Sequence, residues 1–344
     1  MNLPMVPTLP PPVTLPPEEI ERLQAEVRAL AQERRAVILA HNYQVPEVQD
    51  VADYVGDSLG LSRKAAAAEG ETIAFCGVHF MAETASILCP EKTVLIPDLD
   101  AGCSLAASID AEQLAAWKQE YPQGVVVMYV NTTAAVKALT DYCCTSANAV
   151  DVVRHVYDTH GQDTEILFGP DMWLGAYVEK ELGRRMHVWD GECHVHAGIR
   201  PADIEATRAA HPGADFLIHP ECGCTTSVME YVAAGDVSSE GVHMLSTGGM
   251  LKYAEAAEQT AKSGEGAPKE AIVATEVGML YPLQMAAPDV EFIPANPDAS
   301  CVYMKMITLP KLRDALREMK FEVRVPEEIA VRARVPIDRM VAIG

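Results

Sequence analysis

Three stretches of this chain share one design. RAVILAHNYQ (35–44), GVVVMYVNTT (124–133) and ADFLIHPECG (214–223) are β-branched apolar runs that stop abruptly in polar residues. Each reads as a strand buried on both faces, with its carboxyl end opening into a site. After the first, Val48, Val51, Ala52 and Val55 recur at helical spacing, and after the second Val136, Leu139, Cys143 and Val150 continue a similar face. That spacing predicts an amphipathic helix in each place. DYVGDS (53–58) and DYCCTS (141–146) match at an offset of 88 residues, which also carries Tyr43 onto Asn131. Second strands are expected in TIAFCGVHF (72–80), EILFGPD (165–171) and GVHMLSTGG (241–249), and later ones in TVLIPD (93–98), RMHVWD (185–190) and VEFIPA (290–295). The third unit looks least regular, with an added apolar run AIVATEVGM (271–279).

Alternating strands and helices imply parallel sheets covered on both faces, the doubly wound α/β class. Right-handed crossovers send every strand's carboxyl end to the same edge of its sheet. The expectation is three repeated three-layer αβα domains with pseudo-three-fold symmetry around a central cleft. The boundaries drawn are a Pro-rich flexible arm over 1–18 and repeats over 19–115, 116–205 and 206–305, with the tail 306–344 packing back on the first repeat. The opening MNLPMVPTLPPPVTLPP lacks a basic segment and an unbroken apolar core, so it does not read as a secretory signal.

The cysteines fall into this pattern. PDLDAGC, WDGEC and PANPDASC end in Cys103, Cys193 and Cys301, each after the last strand of a unit. One thiol per repeat at matching loops suits a metal held on a common axis. Zinc, with His194 or His196 added, and an iron–sulfur cluster both fit such a set; buried inert thiols remain the plain alternative. Cys76, Cys89, Cys143 and Cys144 read as core residues, the last two on a helix; ECGC (221–224) is the main rival metal motif, though CxC alone is a weak signal and packing is the plain alternative for Cys222. His155, His160 and His211 suit solvated positions, and His79, His187 and His243 suit satisfied core positions. His41, His196 and His219 stand at strand ends or beside a candidate ligand and read as site residues.

A formal charge of −22 excludes a general nucleic-acid binder, which needs a basic surface against phosphate. No apolar run reaches the length of a membrane span. Nine cysteines without disulfide-framework spacing suit a reducing, cytoplasmic setting.

HNYQ…QDVADYVGDSLGLS, GVHFMAETASILCPEK, YVNTTAAVKALTDYCCTSANAV, WDGECHVH, HPEC, LSTGGM and CVYMKMITL together resemble the quinolinate synthase family, in the right order from about residue 35 to the tail VPEEIAVRARVPIDRM. The resemblance implies three α/β domains and a 4Fe–4S cluster with three cysteine ligands, Cys103, Cys193 and Cys301, and one open iron. It implies condensation of iminoaspartate with dihydroxyacetone phosphate to quinolinate, phosphate and water in de novo NAD biosynthesis. Functional coupling to an L-aspartate oxidase or dehydrogenase follows from that chemistry. Near Cys301 the additional cysteines of some relatives are missing, which removes a thiol-redox switch and leaves ligation intact.

The substrates are anionic, while the chain is acidic and its site motifs contain no arginine. Ser58, Ser146, Ser246 and Thr247 are therefore expected to hold anions with hydroxyls and helix-start N–H groups, the competing role being a simple cap. Asn131, His196 and His219 add directional hydrogen bonds. Tyr43, Glu221, His41 and Tyr129 are the candidate acids and bases, with Tyr43 and Glu221 ranked first.

Overall fold

The computed structural model describes residues 15–225, 228–229, 241–263 and 268–343. Most of the Pro-rich arm lies outside them, and helix Pro17–Glu33 begins where the arm was expected to end. Three four-stranded sheets, all parallel, follow one another along the chain. The first holds β1 (Ala36–His41), β2 (Tyr54–Gly56), β3 (Thr72–Cys76) and β4 (Thr93–Leu95). The second holds β5 (Val125–Tyr129), β6 (Tyr142–Cys144), β7 (Ile166–Gly169) and β8 (His187–Val188). The third holds β9 (Asp215–Ile218), β10 (Val242–Met244), β11 (Glu270–Ala274) and β12 (Glu291–Pro294). Their orders are the same: β2-β1-β3-β4, β6-β5-β7-β8 and β10-β9-β11-β12. The expected α/β class with three repeated parallel sheets is the fold observed.

Three readings of local structure change. The helix expected from Val48 to Val55 is only Pro46–Gln49, and Val55 lies in β2. Likewise Val136 sits in the short helix Ala134–Lys137, while Cys143 and Cys144 lie in β6, not on a helix. Both thiols are fully buried because that strand is covered on both faces. The matched Asp-Tyr pairs explain these turns. Asp53 Oδ2 accepts from Ile38 N (2.7 Å) and Asp141 Oδ2 from Val126 N (2.8 Å), so each Asp ties a short edge strand to the central one. These contacts obey the 88-residue offset read from the sequence.

The third unit is as regular as the others. Its counterpart of β3 and β7 is β11, inside the run taken as an addition, and 241–249 supplies only the short edge strand β10. The Asp anchor is replaced there by Gly241, at φ +74°, whose carbonyl accepts from Phe216 N (2.6 Å). Strand β3 also stops sooner than expected, at Cys76, because a helix starts at His79.

The tail returns to the first unit. Helix Leu309–Glu318 packs on Pro17–Glu33, and Val323 N donates to Val94 O (2.8 Å) at the sheet edge. The last helix, Glu327–Ala342, straddles the first two units, packing on β6 and on helix His79–Leu88. Asn148 Nδ2 pins its end, donating to Met340 O (3.1 Å) and Ile343 O (2.7 Å).

Cys222 and Cys224 are joined as a disulfide, with Cα atoms 5.2 Å apart, where separate thiols were expected. His79, His187 and His243 are half-buried beside Glu83, Glu165 and Asp215, not enclosed in the core. No helix among the described residues is long and apolar enough to cross a membrane.

Candidate active site

The carboxyl ends of the strands line one cavity, partly open to solvent. Equivalent strands contribute equivalent layers. The ends of β1, β5 and β9 bring His41 and Tyr43, Tyr129 and Asn131, and His219 and Glu221. The ends of the edge strands β2, β6 and β10 bring Ser58, Ser146 and Thr247, each at or just before a helix start. The loops after β4, β8 and β12 bring Cys103, Cys193 and Cys301. His196 lies one helical turn beyond Cys193. Of the residues named from sequence, Ser246 alone is not on the wall; its Oγ accepts from Gly249 N (3.2 Å), the ordinary work of a cap.

A hydrogen-bonded chain crosses the cavity. The Tyr43 and Thr275 hydroxyls are 2.6 Å apart, and His196 Nε2 lies 2.9 Å from Thr275 Oγ1 and 3.3 Å from the Tyr43 hydroxyl. The other nitrogen of His196, Nδ1, faces Glu221 Oε2 at 3.3 Å without an aligned hydrogen bond. The Tyr129 hydroxyl donates to Glu221 Oε1. His219 stacks on His196, ring centres 4.9 Å apart, and its Nε2 is 3.2 Å from Ser146 Oγ. Tyr43 and Glu221, from different sheets, thus face the two nitrogens of one imidazole.

Burial sets the protonation of this group. It drives His41 and His196 down to about 3, with Lys305 and His194 respectively adding to the effect, so both rings are neutral at ordinary pH. His219 is also held well below its usual value, first by burial and then by His196 and His41. The Glu221 carboxyl rises to about 7 by burial, against the lowering pull of the Tyr129 hydroxyl. Tyr43 and Tyr129 are pushed well above the usual phenol value by burial and then by Glu221, so both stay protonated and able to donate. A carboxyl near neutrality beside neutral imidazoles and intact phenols can take or give a proton at little cost.

The three cysteines share a local geometry. Burial raises all three thiols, Cys103 to about 12 and Cys301 to about 11; Cys301 adds to the rise of Cys103, Glu221 and then the other two cysteines add to that of Cys193, and Glu276 adds to that of Cys301. Opposing this, the N–H three residues on pulls each thiol down: Ala106, His196 and Met304. Such thiols ionise only against a cation placed among them. His194, after Cys193, meets Ser104, after Cys103, with Nδ1 to Oγ at 2.7 Å, which braces two of the loops together. The third loop is held by Glu276. Its Oε1 accepts from Cys301 N (2.9 Å) and from Lys305 Nζ (2.9 Å), and Lys305 also donates to the Tyr43 carbonyl.

Thr275, Glu276, Lys305 and Ser104 were not singled out from the sequence. The repeat pattern points to the first two in hindsight, since β11 is the third copy of β3; nothing local marks Lys305 or Ser104.

Among the described residues no Lys or Arg lines the cavity, so an anion there meets hydroxyls and helix-start N–H groups. Helices Ser58–Ala67, Ala149–His160 and Thr247–Ser263 begin at or close to that wall. The first and third of them approach so closely that a Cβ on Gly248 would fall 2.6 Å from Asp57 Oδ2. Ser58→Ala, Ser146→Ala and Thr247→Ala are each expected to weaken binding of a small dicarboxylate in the cavity about ten- to a hundred-fold. That is the effect of losing a hydrogen bond to a charged group, roughly 1.5–3 kcal/mol. Isothermal titration of the folded variants measures it; unchanged affinity in all three would reduce these residues to caps.

Comparison with known proteins bears on this arrangement. The family model described as quinolinate synthetase A protein matches residues 25–342. A protein of Thermus thermophilus named quinolinate synthase is 56% identical over 324 residues, covering 94% of this chain and 98% of its own. A quinolinate synthase of Mycobacterium tuberculosis is 56% identical over 325 residues, covering 94% of this chain and 89% of its own. One of Mycolicibacterium paratuberculosis is 57% identical over 321 residues, covering 93% and 88%.

Proposed function

The chain belongs to the quinolinate synthetase A protein family, and from that premise we propose that its cleft condenses iminoaspartate with dihydroxyacetone phosphate to quinolinate, phosphate and water. In this reading a 4Fe–4S cluster sits on Cys103, Cys193 and Cys301. The supporting observation is the equivalence of the three loops: each sheet sends one cysteine from the end of its fourth strand to the same cavity. The donor set fits such a group. Among the described residues the three cysteines do not converge within 4.8 Å as ligands of a single ion would, whereas a cluster spreads its thiolates more widely. When bound through three thiolates, the cluster supplies an open iron as a Lewis acid.

The chain's own residues do the rest. Ser58, Ser146 and Thr247, with their helix starts, hold the carboxylates and phosphate. Asn131, whose Oδ1 is buried without a partner, and His41 and His219 orient the carbon skeleton by hydrogen bonds. Tyr43, protonated and hydrogen bonded to Thr275, supplies a proton, and Glu221 takes one, with Tyr129 beside it holding the carboxylate. The walls shield a reactive imine from much of the bulk water.

The test is an anaerobic assay of the iron- and sulfide-loaded chain with dihydroxyacetone phosphate and iminoaspartate generated in place from aspartate. Quinolinate and phosphate are expected in equal amounts, with none when either substrate is withheld. A fully loaded chain that makes no quinolinate would overturn the reading.

A further inference from the structure

Cys193, His196 and Glu221 each bring one ligand atom to within 4.8 Å of the others, the only such group among the described residues. His196 Nδ1 and Glu221 Oε2 are 3.3 Å apart. That separation matches the edge, about 3.3 Å, between nitrogen and oxygen ligands bound at about 2.0–2.1 Å in a tetrahedral zinc site. His196 is 2% exposed, yet its Nδ1 has no hydrogen-bond partner. Its Nε2 is 2.9 Å from Thr275 Oγ1. With the ring neutral, a proton on Nε2 leaves the Nδ1 lone pair free, beside the Glu221 carboxylate. An outer hydrogen bond on the far nitrogen is the usual companion of a metal-bound histidine. Cysteine, histidine and glutamate are all zinc donors.

We propose that the cluster-free chain binds one zinc-class divalent ion on Cys193 Sγ, His196 Nδ1 and the Glu221 carboxylate, and that this ion blocks loading of the cluster. Water completes the tetrahedron. Binding releases the thiol proton of Cys193, and that of Glu221 where it is protonated, to solvent; no electrons move. Ion and cluster exclude each other because Cys193 cannot serve both. Only this exclusion rests on the cluster reading above; the ion site stands on its own geometry.

The experiment uses the reduced, cluster-free chain under anaerobic conditions. Zinc is titrated against a chromophoric chelator, and cobalt is followed by its thiolate charge-transfer absorption. One equivalent should bind tightly to the unmodified chain and equally to Cys103→Ser and Cys301→Ser. Cys193→Ser, His196→Gln and Glu221→Gln should each weaken binding about 100-fold or more, beyond the ten- to hundred-fold that loss of an outer partner alone costs. The cobalt band should vanish only in Cys193→Ser. No stoichiometric binding, or equal losses in Cys103→Ser, would overturn the site, the latter by moving the ion to the three cysteines. Iron and sulfide are then counted after reconstitution with and without one prebound equivalent of zinc. Loading only in the zinc-free sample supports exclusion, and equal loading overturns it. No loading in either sample would defeat the cluster reading while leaving the zinc titration intact.

Discussion

Replacing Cys103, Cys193 or Cys301 by serine, one at a time, is expected to abolish both cluster retention and quinolinate formation. Serine offers a hard, high-pKa oxygen where soft iron needs a thiolate. Each of the three thiols is buried and raised in pKa, so none has a cheap substitute nearby. Cys76 and Cys144 are more deeply buried, but in strands β3 and β6, away from the cavity wall. Cys76→Ala and Cys144→Ala should therefore keep full iron and sulfide. Counting both elements after anaerobic reconstitution, alongside product formation, checks the set. A full cluster in any of the three serine variants would remove that residue as a ligand.

Tyr43→Phe and Glu221→Gln are expected to cost about 10²–10⁴-fold in turnover, or about 3–5 kcal/mol of barrier, while leaving the cluster spectrum unchanged. Neither change disturbs packing much. With Tyr43→Phe, Thr275 Oγ1 keeps its contact with His196 Nε2 at 2.9 Å, so no buried hydroxyl is stranded. With Glu221→Gln, the amide oxygen can still accept from Tyr129, but the group no longer titrates. A role limited to shaping the cavity predicts near-normal turnover in both variants. Single-turnover rates with normal affinity for dihydroxyacetone phosphate separate the cases. The sign of the pH effect follows from burial: Glu221 is raised, so its proton-accepting form grows as pH climbs through about 7. A rate that rises over that interval in the unmodified chain and is flat in Glu221→Gln is the expected pattern.

The buried central strands were legible because their signal is local: a run such as AVILAH is apolar on both faces and ends in a polar residue. The repeat offset was legible too, since Asp53 and Asp141 do the same backbone work in two sheets. The edge strands β2 and β6 were read as helix because three residues are too few to display a two-residue period, and neighbouring valines happened to fall at helical spacing. β11 was taken for an insertion because its unit lacks the Asp-Tyr marker that aligned the other two.

By itself the amino-acid order determined where strands end and which polar residues stand at those ends, because burial on both faces and the parallel crossover are written in short windows of residues. It thereby placed His41, Tyr43, Tyr129, Glu221 and the three loop cysteines at equivalent edges. Only the tertiary structure decided what those edges meet. Tyr43 and Glu221 stand at the two nitrogens of His196, a residue from a third strand end. The Cys301 loop is tied to the Tyr43 backbone by Glu276 and Lys305, which stand 29 positions apart. Such contacts depend on how three sheets are turned toward one another, and no local pattern encodes that rotation. The same rotation removes these groups from water, and it is this burial, not residue type, that carries Glu221 toward neutral pH and keeps the histidines uncharged.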